Sequence, residues 1–241
     1  MTTVVIMQPQ FFPWRGLFEQ IRLADEFVHL DDAQFQKGGF TNRVQIKTAS
    51  GPQWLTVPVL RAGHLPPIAE VEIDYKSDWR TKHLKTLQMN YAATPFVAQM
   101  LGIAGDVYAE RPATIGELDI TALERSAAEL GLTPRFTRSS ATPVASAKTD
   151  RLVELLVPRG ATRYVTGLGA LAYLNEPLLV SHGVAVEVMA YTRSPYPQLH
   201  GAFDPHVSIL DAFANLGPGA RDALDSRAVP WAQATPAGAS A

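Results

Sequence analysis

The chain has 241 residues, room for one large domain or two small ones, and its 46% hydrophobic content is enough to bury a sizeable core. Lys and Arg number 21 against 23 Asp and Glu, a formal charge of -2 that gives no electrostatic footprint for nucleic acid or an anionic membrane as main partner. The absence of cysteine excludes disulfides, thiolate nucleophiles and cysteine-ligated zinc.

Residues 4–7 read as a short buried strand. Leu17, Phe18, Ile21 and Ala24 then repeat at helical spacing, and a second strand follows at 27–30. Strand, turn, helix and strand within some thirty residues predict a βαβ unit with parallel strands. Short β runs at 44–46 and 54–59 around Ser50-Gly51-Pro52 predict an inserted hairpin, over about 42–60. A Gly/Pro loop at 61–67 and a short strand at 71–73 come next. Helices at 79–91, 95–101 and 115–130 make a helical insert of about 78–130, the last ending at Gly131 as a C′ residue.

After a strand at 135–137, a helix at 150–156 is expected to be capped by Ser146 or Thr149 and stopped by Pro158. A strand at 164–167, a helix at 170–174 and a strand at 184–188 resume the α/β alternation, and 208–215 is a last short helix. The fold class is therefore α/β, a parallel Rossmann-like sheet with an inserted hairpin and helical segment, forming one domain over 1–219. Residues 220–241 turn to Ala, Pro, Ser and Gln and are expected to be a poorly packed tail, ordered only where Trp231 docks. The N-terminus lacks the basic and long apolar regions of a signal peptide, and no stretch has the length of a membrane span, so cytoplasmic residence is expected.

Five places could carry chemistry. The turn MQPQFFPWRGLF lies where ligands sit in parallel α/β sheets, beyond a strand and at a helix N-terminus. Gln8 offers an amide, Pro9 stiffens the turn, Phe12 and Trp14 offer ring faces, and Gly16 permits close backbone approach. Taken singly, Phe11 and Phe12 read as core packing. Asp31 and Asp32, with Gln34, follow the second strand on the same edge. One carboxylate could cap a turn while the other accepts from a ligand amine, holds a divalent cation or acts as a general base. Asn42, Arg43 and Lys47 begin the hairpin, where they could clamp an anion or be a solvated face. Lys148 and Arg151 open a helix with Ser146 and Thr149, without the pattern of a nucleotide P-loop. Thr166 and Gly167 follow a strand on the ligand edge. The six histidines show no zinc spacing and there is no GxSxG elbow, so neither a metal site nor a serine hydrolase is expected.

The runs VVIMQPQFFPWRGLFEQI, ADEFVHLDDAQF, FTNRVQIKT and WLTVPV, with SAKTDRL, RYVTGLGALAYL and FDPHVSILDAFANLGP further on, resemble the WbqC-like proteins over about residues 4–219. That resemblance implies transfer of a glycyl or other aminoacyl group to an amine of a sugar or secondary metabolite, in polysaccharide or natural-product biosynthesis. Its partners would be a small-molecule amine acceptor and an activated acyl donor, aminoacyl-tRNA or ATP-derived; it names no cofactor. Asp31 and Asp32 would then be catalytic, with Gln8, Asn42 and Arg43 holding the donor. Phe12 departs from the family pattern, in which tyrosine is common there, and Leu17 stands where a ring is common. A more distant likeness joins the turn to nucleotidyltransferases of the HUP class, which carry HxGH where this chain has Trp14-Arg15-Gly16-Leu17. A nucleotide-dependent transferase and a non-catalytic sugar- or metabolite-binding protein are the alternative readings.

Overall fold

The computed structural model of the chain describes residues 1–60 and 66–234. The elements in chain order are β1 (Thr3–Met7), α1 (Arg15–Leu23), β2 (Glu26–His29), β3 (Arg43–Thr48), β4 (Gly51–Thr56), α2 (Trp79–Tyr91), α3 (Val97–Ala109) and α4 (Ile115–Glu129). They continue with β5 (Arg135–Arg138), α5 (Lys148–Leu156), β6 (Arg163–Thr166), α6 (Glu176–Ser181), β7 (Ala185–Ala190), α7 (Ile209–Leu216) and β8 (Arg227–Pro230).

Six strands form one sheet in the order β5-β2-β1-β6-β7-β8. The first five pair in parallel and only β8 runs antiparallel, against β7. This is a Rossmann-like α/β sheet, and the antiparallel pair β3–β4 stands apart from it as a hairpin.

Side-chain alternation along the strands explains why both faces are covered. Val5, Phe27, Val165 and Met189 point into a large core shared with α1, with the helices α2 to α4, and with α7. Val4, Ile6, Val28, Tyr164 and Val186 point the other way, onto Leu155 and Leu156 of α5 and Leu179 of α6. Glu26, 1% exposed, takes Thr137 and two arginines, Arg135 and Arg159, at the edge of β2.

Several expectations need correction. Residues 71–73 make only isolated bridges, Ile73 to Val59 and Glu72 to Thr114, because the segment crosses from the hairpin to α4 without a partner strand. The helix expected at 95–101 runs on to Ala109, since Ile103, Ala104 and Val107 continue its buried stripe. Neither Ser146 nor Thr149 caps α5: the cap position is Ala147, Ser146 reaches Glu154, and Thr149 accepts from the Asn175 amide. The helix expected at 170–174 is a 3-10 turn at Leu168–Ala172, and α6 follows it. Residues 220–234 are not a loosely packed tail. Leu224 and Ser226 are buried, β8 pairs with β7, and Trp231 packs on the α5–α6 core. The backbone of β8 gains a ladder that its apolar-poor composition does not advertise. The expected loop at 61–67 falls mostly outside the described residues.

Candidate functional site

Strands β2 and β6 flank β1, so the chain leaves β1 toward one side of the sheet and later returns on the other. A parallel sheet opens a crevice beyond its carboxyl edge at such a switch point. A cavity of about 280 Å³ lies there, between the end of β1 at Met7, the face of α1, and the segments that follow β6 at Gly167 and β7 at Tyr191.

Its wall is Trp14. The indole centroid is 4.9 Å from that of Tyr191, tilted by 53°, and 5.6 Å from the His206 ring. Gly16 explains how the indole reaches this place. A Cβ on Gly16 would sit 2.2 Å from the ring's Cη2, so only glycine lets the indole lie across the first turn of α1. The backbone approach that glycine permits is therefore used by this chain's own tryptophan rather than by a ligand. The turn is clamped from α7: Ser208 Oγ donates to the Phe12 carbonyl at 2.8 Å, and the Ile209 amide donates to the Pro13 carbonyl. Phe12 has a φ of 39°, a strained value for a bulky residue. Its ring does not face the crevice but is fully buried, edge-on to Phe11 and to Tyr108. Pro9 is buried, and Gln8 is half-buried without a side-chain hydrogen bond among the described residues.

At the floor, Gln20 is 2% exposed, and its Nε2 donates to the Tyr191 hydroxyl at 2.5 Å. Its Oε1 has no partner among the described residues. Burial pushes the Tyr191 phenol up to about 12. Arg193, with a φ of 53°, and His206 stand at the rim. Among the described residues no carboxylate lines the crevice. Glu19, beside Gln20 on α1, is turned to the Ser226 amide, and burial raises its pKa above the ordinary carboxylate range. Arg15 turns to the Ala223 carbonyl and lies over the rings of Tyr196 and Phe203.

The remaining sequence candidates are held in other networks. Asp31 is 1% exposed and accepts from the Ser140 amide at 3.0 Å and hydroxyl at 2.7 Å, with the Ser139 hydroxyl at 3.2 Å. Asp32 is half-buried against Ser139 and forms an ion pair with Arg151. The two aspartates thus join the end of β2 to the turn after β5 and the start of α5. Gln34 is exposed and bridges to Pro67. Asn42 donates to the Val57 carbonyl, while Arg43 lies 4.1 Å over the Trp54 ring and reaches the Gly38 carbonyl. Lys47 is 6% exposed, and its ammonium donates to Gln198 and to the carbonyls of Gly201 and Ala202. It is a brace for the segment 191–208, not an anion clamp on a solvated face. Lys148 is exposed at the start of α5 with a φ of 55°. Thr166 shares a face with Tyr164, whose hydroxyl reaches it, and so points to the α5–α6 side, whereas Gly167 borders the crevice. Of the candidates, Trp14 and Gly167 therefore line the cavity, and Gly16 shapes it.

The chain matches the WbqC-like protein family over residues 8–223. It belongs to that family. The WbqC-like span begins one residue beyond β1 and takes in Trp14, Gln20, Gly167, Tyr191, Arg193 and His206, so nearly the whole crevice lies within it. The chain is also 37% identical over 227 residues, 93% of its length and 98% of the relative's, to the uncharacterized protein Rv1507c of Mycobacterium tuberculosis. No solved structure matches it. Among the described residues no helix is long and apolar enough to cross a membrane.

Sequence reasoning missed Gln20, Tyr191, Arg193 and His206. The signal for Tyr191 was its place directly after an apolar strand, and for Gln20 its i+4 spacing from Gly16, which puts both on one face of α1.

Proposed function

We propose that this WbqC-like protein is a transferase that joins an aminoacyl group to an amine of a sugar or secondary metabolite, with the amine-bearing acceptor held in the switch-point crevice. The observation that carries this reading is the make-up of the cavity: two tilted ring faces, a free amide oxygen, one imidazole and one guanidinium, and no carboxylate among the described residues. Ring faces suit the apolar side of a sugar. Amide formation needs a positioned amine, a proton acceptor and a stabilised oxyanion, but no covalent nucleophile. In this reading the acceptor amine attacks the acyl carbonyl, His206 accepts the amine proton, Arg193 faces the developing oxyanion, the acyl–oxygen bond of the donor breaks and its oxygen leaves with that proton, and Asp31 and Asp32 hold the surrounding loops. The indole across the first turn of α1 stands where a nucleotide phosphate would meet the helix N-terminus, which disfavours the nucleotide-dependent reading.

The test is to incubate the protein with glucosamine and, in parallel, glycyl-tRNA or glycine with ATP, and to look for the N-glycyl product by mass spectrometry. Product with glycyl-tRNA, lost in His206→Ala, is expected; product with glycine and ATP would support the nucleotide-dependent reading instead. A second reading, a metabolite-binding protein without turnover, is favoured by the full hydrogen-bond set of Asp31. Binding of glucosamine with no product from either donor would establish it instead.

A further inference from the structure

The floor of the crevice holds a pair of polar atoms to which the transfer reading assigns no role in choosing the ligand. Gln20 sits at 2% exposure with its amide nitrogen committed to the Tyr191 oxygen at 2.5 Å and its amide oxygen without a partner among the described residues. An unpaired polar atom at such depth is costly and is rare without a reason. Because Gln20 donates to the Tyr191 oxygen, the proton of that hydroxyl is free to point elsewhere. Burial pushes the phenol up to about 12, so the hydroxyl keeps its proton at neutral pH. One donor and one acceptor therefore stand side by side at the bottom of the cavity. Gly167 keeps the space above them open: a Cβ there would lie 3.5 Å from Gln20 Nε2 and 3.7 Å from the Tyr191 oxygen, in ordinary contact with both. The Trp14 and Tyr191 rings, 4.9 Å apart, close the side.

We propose that Gln20 and Tyr191 are the specificity-determining pair of this crevice, selecting a ligand that presents an N–H donor next to an oxygen acceptor, as a vicinal amino alcohol does. The amine donates to Gln20 Oε1 and the neighbouring ligand oxygen accepts from Tyr191 O–H. This rests on the reading of the crevice as the acceptor site, and it names the two atoms that read the acceptor. An amine held by a neutral amide oxygen keeps its lone pair free for attack once deprotonated, whereas a carboxylate there would favour the unreactive ammonium form.

Calorimetric titration of the full chain with glucosamine and with 2-deoxyglucose, which lacks the amine, tests the pairing. The wild type should bind glucosamine at least about tenfold more tightly, the size of a hydrogen bond made by a buried acceptor. Gln20→Met should erase that preference, and Tyr191→Phe should weaken glucosamine binding. Gly167→Ala, which fills space without removing either polar atom, should weaken both sugars together and shows that the binding seen is in this cavity. Circular dichroism confirms that each variant is folded; if Gln20→Met is not, Gln20→Leu, which likewise offers no acceptor, takes its place and must lose the preference. Absence of glucosamine binding in the wild type, or a preference that survives in Gln20→Met, overturns the proposal. The amine preference without any transfer product would sink the transferase reading and leave this one standing. Transfer without the preference would do the reverse.

Discussion

Replacing Asp119 with asparagine keeps the shape of a side chain but removes its ionisation, at a position that is 0% exposed and whose two carboxyl oxygens have no hydrogen-bond partner among the described residues. Asp119 lies on α4, one turn beyond Gly116, which packs so closely that a Cβ there would meet the Ala69 Cα at 2.9 Å. Burial raises the carboxyl pKa well above its ordinary value. The unfolded chain releases that proton near pH 3.9, roughly the free aspartate value. Below that pH both states are protonated and the group adds no pH dependence. Above it, the folded state still holds the proton while the unfolded state has lost it, so stability falls as pH rises, by about 1.4 kcal/mol per pH unit while the folded carboxyl stays neutral. Each pH unit over which the folded carboxyl holds its proton is thus worth a Tm change of roughly 3–6 °C for a chain of this size. Urea unfolding of wild type and Asp119→Asn at pH 5, 6 and 7, followed by circular dichroism, measures it. The variant should gain on the wild type with each unit, by up to about 1.4 kcal/mol. A difference that is flat across the three pH values, or that turns against the variant at pH 7, would show that Asp119 is ionised and partnered, and would refute the reasoning.

His83 limits the molecule from the acid side. Burial lowers its pKa to about 4, with Tyr108 and the Thr56 carbonyl as ring partners, so the folded state holds it neutral. As pH falls from about 6.5 toward 4 only the unfolded state takes up a proton, and stability drops by on the order of 3 kcal/mol in total; the imidazole resonance in folded protein should stay unshifted down to about pH 5. Asp31→Asn should cost about 1.5–3 kcal/mol through its serine donors, and Asp32→Asn, half-buried against Arg151, about 1 or less, in chemical unfolding. If Asp32→Asn instead left stability intact and abolished product formation, a catalytic role for that carboxylate would stand. Gly16→Ala must push the Trp14 indole aside by about 1 Å or more to restore ordinary van der Waals separation. The gain in helix propensity and the looser packing of the displaced ring should nearly cancel, leaving stability within about 2 kcal/mol of wild type. Glucosamine affinity should nevertheless fall at least about tenfold, the worth of 1.4 kcal/mol. Unchanged affinity would mean that Trp14 is not the wall of the binding crevice.

The contrast between Asp31 and Gln20 shows what a sequence displays and what it hides. Residues 4–30 announce their βαβ unit because each element is local: an apolar run, a helical stripe, a second apolar run. The turn after β1 was legible for the same reason, and so was its company of Gly16 and Trp14. The partner of that turn was not. Asp31 and Asp32 lie next along the chain, after the strand that pairs with β1 on one side, and sequence proximity made them the natural second half of a site. The other neighbour of β1 is β6, whose register sets Thr3 opposite Arg163, far along the chain. A switch-point crevice opens toward that neighbour, so its second half comes from Gly167 and Tyr191 and its rim from the segment 191–208.

Nothing local marks a strand as the one that will insert beside β1, since that choice is made by the packing of whole layers. Gln20 was hidden for a different reason. A lone glutamine in an amphipathic helix reads as a solvated position, and only the burial of α1 on its β6 side makes its oxygen an orphan. The braces were hidden in the same way. Lys47 alternates with Arg43 and Gln45 as an exposed strand face would, yet its ammonium is buried under 191–208, near the Asp211 carboxylate that takes Tyr91, Tyr196 and Gln198. That buried network fixes the segment carrying His206 to the hairpin and to α7. The crevice rim is therefore set by residues that do not line the crevice, and a substitution at Lys47 should alter glucosamine binding by releasing the rim rather than by removing a contact.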